Sequence, residues 1–254
     1  MSKSRYVAGL RAVEQLLTSR AADVRALYAE YQTVNPRVEA VIARAGSLDI
    51  EVKPANRGRL QQMSGEARHQ GVVAEIRRST VLDEAGLRTL VEGRLTEEEG
   101  APLLLLVLEG IQDPHNLGAC LRTADAAGVD AVVGSRHGAA GLGPAVSKVA
   151  AGAAESLPFA PVPNIGRVLG WLAEYGVRVV GTSDAAEASL FDADLSGPLA
   201  LVMGGEHGGL RKATRGRCDL LVRLPMHGSV SSLNVSVACG ICLYETVRQR
   251  TRLL

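Results

Sequence analysis

The chain has 254 residues, 46% apolar and 22% charged, with a formal net charge of +1. That is enough chain for one large domain or two small ones, each with a core, in the composition range of ordinary globular proteins. No segment is apolar enough for a membrane helix: the longest aliphatic run, 103–108, is far short of the ~20 residues such a helix needs.

The start, Met1-Ser2-Lys3-Ser4-Arg5, leads into a charged amphipathic stretch and not an apolar signal core, so a cytoplasmic location is expected. The four cysteines, at 120, 218, 239 and 242, are then expected as reduced thiols. Charge is uneven along the chain. Residues 1–80 hold 13 Lys and Arg against 8 Asp and Glu, residues 81–100 hold 2 against 6, and residues 101–254 hold 13 against 13. A basic front segment fits phosphate attraction and a solvated arginine-rich surface equally well. The eight aromatic residues are too few for extensive base stacking.

The first eighty residues alternate helix and strand signals. Leu10, Val13, Leu16 and Leu17 form a helical stripe. A short strand follows at 24–28. Pro36 then opens a helix with Val38, Val41 and Ile42 on one face. Residues 50–52 and 72–76 read as strands, with Arg57, Arg59, Arg68 and His69 in the loops between them. Residues 78–101 carry an acidic run and only a weak helical signal, which reads as a linker with some helix.

From residue 103 a second α/β pattern begins. The all-apolar run 103–108 suits a strand covered on both faces. Helices are expected at 116–127, 144–153, 166–175 and 232–250, and strands at 131–134, 177–180, 199–203 and 220–224. Strands alternating with helices imply a mostly parallel sheet.

Three segments carry chemistry. After the strand 103–108, Asp113-Pro114 marks a turn, Asn116 is a good helix N-cap and Arg122 lies inside the helix that follows. Strand ends in such sheets are where ligands bind; capping alone for Asn116 and a surface role for Arg122 fit the residues too. The strand 199–203 ends in Gly204, Gly205, Glu206, His207, Gly208 and Gly209. Four glycines let backbone approach a ligand closely, or simply make a flexible turn. No G-x-G-x-x-G follows the first buried strand and no Walker lysine pattern is present, which argues against an ordinary dinucleotide or nucleoside triphosphate site. The strand ending at Leu224 leads into three serines, Ser229, Ser231 and Ser232, and Asn234 before a helix. A helix start needs one capping residue; the surplus suits a polar ligand or RNA backbone. Cys239 and Cys242 form a C-x-x-C within an apolar helical run, where small buried core residues are the simplest reading.

Together the three segments resemble the motifs of the SpoU-type, trefoil-knotted RNA ribose methyltransferases of the SPOUT superfamily. Asn116-Leu117-Gly118 with Arg122 is similar to that family's N-L-G-x-x-x-R. Gly204, Glu206, Gly209 and Leu210 match its G-x-E-x-x-G-L, and Leu224 to Ser236 its L-P-M-x-G-S-V-x-S-L-N-V-S. The family has glycine directly after the glutamate, where this chain has His207. The front segment, with Ala151-Gly152-Ala153-Ala154-Glu155-Ser156 and the 113–122 segment, resembles the branch that methylates a guanosine ribose in large-subunit 23S ribosomal RNA.

The resemblance implies an α/β fold in three parts: a small α/β ribosomal-protein-like RNA-binding domain at 1–78, a linker at 79–101, and a knotted methyltransferase domain with a mostly parallel sheet at 102–254. It implies S-adenosylmethionine held by backbone at Gly204, Leu224 and Leu233, no metal, a ribosomal RNA substrate and a homodimer. It makes Arg122 the residue at the ribose 2′-hydroxyl, with Asn116, Glu206, Ser232 and Asn234 arranging the site. An arginine stays protonated, so binding of the adjacent phosphate and support of a developing alkoxide suit it better than proton removal. Three other readings compete: a relative with another target, of the antibiotic-resistance or transfer-RNA type; a non-catalytic RNA-binding or ribosome-assembly protein; and a metal or thiol enzyme built on Cys239 and Cys242.

Overall fold

A computed structural model describes residues 5–19, 21, 24–31, 35–65, 69–76, 81–97, 100–205 and 208–251. The chain divides into two compact units, Met1–Thr80 with Ala151–Ser156, and Val81–Ala150 with Leu157–Leu254.

The smaller unit has four strands, β1 (Arg5–Ala8), β2 (Val24–Glu30), β3 (Glu51–Ala55) and β4 (Val72–Ile76), and three principal helices, α1 (Leu10–Ser19), α2 (Pro36–Ser47) and α3 (Arg57–Ser64). The sheet order is β1-β4-β2-β3, with β4 antiparallel to both neighbours and β2 parallel to β3. The stripe Leu10, Val13, Leu16, Leu17 packs with Val38 and Val41 on the face of Val72, Ala74 and Ile76. Alternation puts Val73 on the other face, with Ala26, Tyr28 and Leu60.

Two elements here departed from expectation. β1 is too short for its pattern to stand out. The basic loop at Arg57 and Arg59 is instead α3: Asn56 Oδ1 caps it by accepting from Arg59 N–H at 2.8 Å, and Leu60 is its only buried residue, so no apolar stripe announces it. Arg68 lies outside the described residues. His69 is 3% exposed and its Nδ1 accepts from Gly71 N–H at 3.1 Å. Burial pushes its imidazole below the ordinary histidine range, so it is neutral at pH 7 and adds no cation to this surface.

The larger unit opens with α4 (Glu84–Thr96). This segment was expected as a linker with some helix. It is a helix of the larger unit, capped by Asp83, whose Oδ1 accepts from Gly86 N–H at 2.8 Å. It buries Leu87 and Val91 in the core, each contributing about 1.5–3 kcal/mol. Arg88 lies 4.7 Å over the Trp171 ring, Tyr175 Oη donates to Glu92 at 2.6 Å, and Val81 bridges Phe159. The α4 stripe Leu87, Leu90, Val91 and Leu95 is weakened as a signal by Gly86 and Gly93 and by the acidic run that follows.

Then come β5 (Leu104–Glu109), α5 (Pro114–Ala126), β6 (Ala131–Ser135), α6 (Pro144–Ala150), α7 (Ala153–Ser156, grouped with the smaller unit), β7 (Phe159–Val162) and α8 (Ile165–Glu174). After them run β8 (Arg178–Thr182), β9 (Ala188–Ser189), β10 (Leu199–Gly204), α9 (Lys212–Arg215), β11 (Leu220–Arg223) and α10 (Val235–Thr251). The seven-stranded sheet has the order β7-β6-β5-β10-β8-β11-β9, and every neighbouring pair is parallel. In β5, Leu105 and Val107 face the cluster with α4 and α8, while Leu104, Leu106 and Leu108 are equally buried on the other face. The helix expected at 144–153 stops at Ala150, because Ala151 and Gly152 take left-handed φ angles of 52° and 107°.

Candidate active site

A parallel sheet sends all its strand ends to one edge. At that edge the ends of β8, β10 and β11, with the segment before α10, line a cavity of about 1040 Å³. Its walls include Thr182, Ser183 and Asp184 at the end of β8, Gly204 and Gly205 at the end of β10, and Leu224 after β11. Ser232, Leu233 and Asn234 complete it.

The glycines are required by backbone meeting backbone. A Cβ on Gly204 would lie 2.2 Å from the Gly209 carbonyl carbon, and one on Gly205 would lie 2.4 Å from Gly110 O. Gly209 N–H donates to Gly205 O at 3.0 Å, and Gly208 and Gly209 take φ angles of 153° and 61°. Glu206 and His207 lie outside the described residues.

α5 starts at Pro114, not at Asn116. Asp113 is its cap: Oδ1 accepts from His115 N–H at 2.8 Å, and Pro114 takes the first helical position, where a missing N–H costs nothing. The same contact, with His115 Nδ1 3.1 Å away, holds the Asp113 carboxyl below its usual range. Asn116 is therefore released from capping. Its Oδ1 accepts from Asn234 Nδ2 at 3.1 Å, across 118 residues of sequence. Asn234 in turn stands immediately before α10 and accepts from Ser236 N–H at 2.8 Å and Ser236 Oγ at 2.7 Å. Ser231 and Ser232, read as possible caps, are not helical; they stay exposed on the cavity wall.

The structure thus brings Gly204, Leu224, Leu233, Ser232 and Asn234 to one cavity and ties Asn116 to it through Asn234. Arg122 is exposed on α5, which packs on α10 with Gly240 3.7 Å from Thr123 Cγ2 measured at an added Cβ. It is not among the cavity-lining residues. Sequence reasoning passed over Thr182, Ser183 and Asp184. The rule that ligands bind beyond the carboxyl ends of parallel strands would have found them after the strand at 177–180.

Cys239 and Cys242 are fully buried on α10. Burial pushes the Cys242 thiol up to about 12; a hydrogen bond with Cys120, then burial, raises that of Cys239. Thiols held protonated are poor nucleophiles and ligands. Among the described residues no group of three or more His, Cys, Asp or Glu is placed to hold a metal ion.

A glycine-lined cavity at the ends of a parallel sheet defines an α/β ligand-binding domain, here one without a phosphate-binding glycine signature. The comparisons make this specific. Residues 103–244 match the SpoU rRNA Methylase family and residues 6–82 match the RNA 2'-O ribose methyltransferase substrate binding domain. The chain belongs to the SpoU rRNA methylase family. It is 49% identical over 253 residues to the 23S rRNA (guanosine-2'-O-)-methyltransferase RlmB of Pseudomonas aeruginosa, covering 100% of both chains. Against the protein of the same name from Coxiella burnetii it is 45% identical over 250 residues, 98% of each. Among solved structures, the SpoU methyltransferase AviRb from Streptomyces viridochromogenes, in complex with AdoMet, superposes with a TM-score of 0.76 at 27% identity, covering 98% of this chain and 91% of that one.

Proposed function

We propose that the protein transfers the methyl group of S-adenosylmethionine to the 2′-hydroxyl of a guanosine ribose in 23S ribosomal RNA. The carrying observation is the end-to-end match, 98% or more of both chains, to relatives that bear that activity in their names.

The cavity fits the cofactor. Its volume of about 1040 Å³ is ample for a ligand of that size, and its wall includes main chain at Gly204, Gly205, Gly208 and Gly209, where no side chain stands between backbone and ligand. Backbone at Gly204, Leu224 and Leu233 would hold the adenosine portion. When bound, the cofactor supplies a methyl group already activated by its sulfonium. The protein's task is then to hold the ribose oxygen in line and help it lose its proton. Arg122 binds the phosphate next to the target ribose and steadies the oxygen as charge develops. The Asn116–Asn234 hydrogen bond sets α5 against the helix that closes the cavity, and Ser232 and Glu206 arrange the rest of the site. The family resemblance implies a knotted chain path around this cavity.

The smaller unit grips RNA beyond the target nucleotide, supported by exposed Arg57 and Arg59 on α3. The active form is a cytoplasmic homodimer. Val237 and Tyr244 on α10 are 51% and 52% exposed, with Ile241 half-buried between them, an apolar row for a second copy to cover. Among the described residues no helix is long and apolar enough to cross a membrane.

The test is methyl transfer from labelled cofactor to unmodified large-subunit RNA, with mapping of the product. A 2′-O-methylguanosine in 23S RNA is expected. A 2′-O-methyl group on another RNA would keep the chemistry and move the target; cofactor binding without transfer to any RNA would favour a non-catalytic binding protein.

A further inference from the structure

Glu109 ends the all-apolar strand β5 and is only 5% exposed. A buried carboxylate needs partners, and both its oxygens have them. Oε2 accepts from Arg211 N–H at 2.8 Å, and Oε1 accepts from Thr214 Oγ at 2.7 Å. Thr214 itself is 2% exposed, so neither group has water as a substitute. The main chain of Glu109 completes the arrangement: its carbonyl accepts from Gly205 N–H at 2.9 Å, one step past the last register pair of β5 and β10, Glu109 with Gly204.

One residue therefore holds both limbs of the glycine loop. Its backbone ties the outgoing limb at Gly205, and its side chain ties the returning limb at Arg211 and Thr214. Gly205, Gly208, Gly209, Leu210 and Arg215 between and beside these anchors all line the cavity. Arg215 Nε also donates to Leu210 O at 2.8 Å, so the returning limb is bonded to itself but to the sheet through Glu109. The two limbs meet at the Gly204–Gly209 contact, where nothing can be displaced without moving backbone.

We infer that Glu109 is a positioning residue for the cofactor: by accepting from Arg211 and Thr214 it sets the shape of the loop that walls the cavity, and so sets the affinity for S-adenosylmethionine. This rests on the reading of the cavity as the cofactor pocket. The role belongs to hydrogen-bond geometry and not to charge. A glutamine amide at this place can accept from Arg211 N–H and donate to the Thr214 hydroxyl, which is both donor and acceptor. Alanine removes the acceptor of both donors and leaves the Thr214 hydroxyl buried without it.

The experiment is calorimetric titration of the full chain with S-adenosylmethionine, together with steady-state methyl transfer, for Glu109→Ala, Glu109→Gln, Thr214→Val and Leu224→Trp. Glu109→Ala should raise the dissociation constant and KM for the cofactor by roughly tenfold or more, with kcat at saturating cofactor within about threefold of wild type. Thr214→Val should raise both by about threefold, and Glu109→Gln should stay within about threefold of wild type. A general loss of stability would not produce that split or that rescue. Wild-type cofactor affinity in both Glu109→Ala and Thr214→Val overturns the proposal, as does a Glu109→Gln protein as weak as Glu109→Ala. If Glu109→Ala does not fold, Thr214→Val and Glu109→Gln decide alone: weakening in the first with near-normal binding in the second supports the inference, and any other pairing overturns it. Leu224→Trp fills the cavity. Wild-type affinity in that variant would remove the cavity reading, and the proposal with it, whereas blocked binding there beside unaffected Glu109 and Thr214 variants removes the proposal alone.

Discussion

The two units are both α/β, and they differ in how the chain leaves its strands, which at the strand ends of the larger unit makes room for the cavity. In the smaller unit β1 passes to α1 through the single residue Gly9, and β3 to α3 through the single residue Asn56. Those helices begin where the strands stop and occupy the space themselves. In the larger unit β10 is joined to α9 by residues 205–211 and β11 to α10 by residues 224–234. That spare chain, folded back on itself at glycine, walls a cavity. Long connections after β10 and β11, more than sheet architecture, make room for this cavity.

The largest effect should come from the residue proposed to face substrate. Arg122→Lys is expected to lower turnover by about a hundredfold or more, since a point charge does not reproduce the planar fork, while cofactor affinity stays normal. Single-turnover kinetics and calorimetry on the same protein measure both; near-normal turnover would remove the proposed role.

The comparison of strand exits is broken most directly at the glycine wall. Gly204→Ala places a methyl group 2.2 Å from backbone that cannot yield, so a stability loss of roughly 3 kcal/mol or more is expected by denaturant titration, with cofactor binding abolished. Gly65→Ala, in the smaller unit, meets nothing within 4 Å and suffers only the cost of its left-handed φ of 63°, about 1 kcal/mol.

Next comes the C-terminal anchor of the larger unit. Arg250 donates to the carbonyls of Pro102 and Gly197 at 2.7 Å and of Leu103 at 3.1 Å, with no carboxylate among these acceptors. Arg250→Ala strands those carbonyls and should cost about 2–3 kcal/mol of stability. An unchanged unfolding midpoint would show that water replaces it.

On the surface of the smaller unit, Arg57→Ala with Arg59→Ala should weaken RNA binding by about tenfold at low salt and flatten its salt dependence, leaving cofactor affinity untouched. Equal salt slopes for the double variant and wild type would exclude this face from the RNA contact.

The smallest effect concerns Tyr28, whose hydroxyl donates to buried Glu75 at 3.0 Å. Tyr28→Phe should cost about 1 kcal/mol. Burial, and then Glu75, raise the phenol above its ordinary value. Its contribution is therefore fully present below pH 10 and is lost as pH rises beyond that, so wild type and Tyr28→Phe should converge in melting temperature at alkaline pH.

Much of this was legible before any coordinates. The run 103–108 is apolar at every position, and only a strand buried on both faces asks for that. The glycines at 204 and 205 serve close backbone approach and those at 208 and 209 positive φ angles, two uses that the glycine run left open together, and the three motifs named the family. Local pattern was weakest where an element buries little of its own surface: α3 buries only Leu60, so its sequence read as loop, and α4 fully buries Leu87 and Val91, so its segment read as a linker with some helix. It failed where two local roles compete. Asn116 is as good a cap as Asp113 by residue type, and the choice fell to Asp113 because Pro114 follows it and Asn234, brought in from the far end of the chain, claims Asn116.

The sequence by itself determined most of the strands, though not β1, β7 or β9, and the class of chemistry, because each is written in neighbouring residues through side-chain size, backbone freedom and polarity. Only the tertiary structure decided that Glu109 meets Arg211 and Thr214, that Asn116 meets Asn234, and that Arg250 reaches Pro102. Each of those contacts joins residues more than a hundred positions apart, and a hydrogen bond responds to distances of a few tenths of an ångström, which no spacing along the chain encodes.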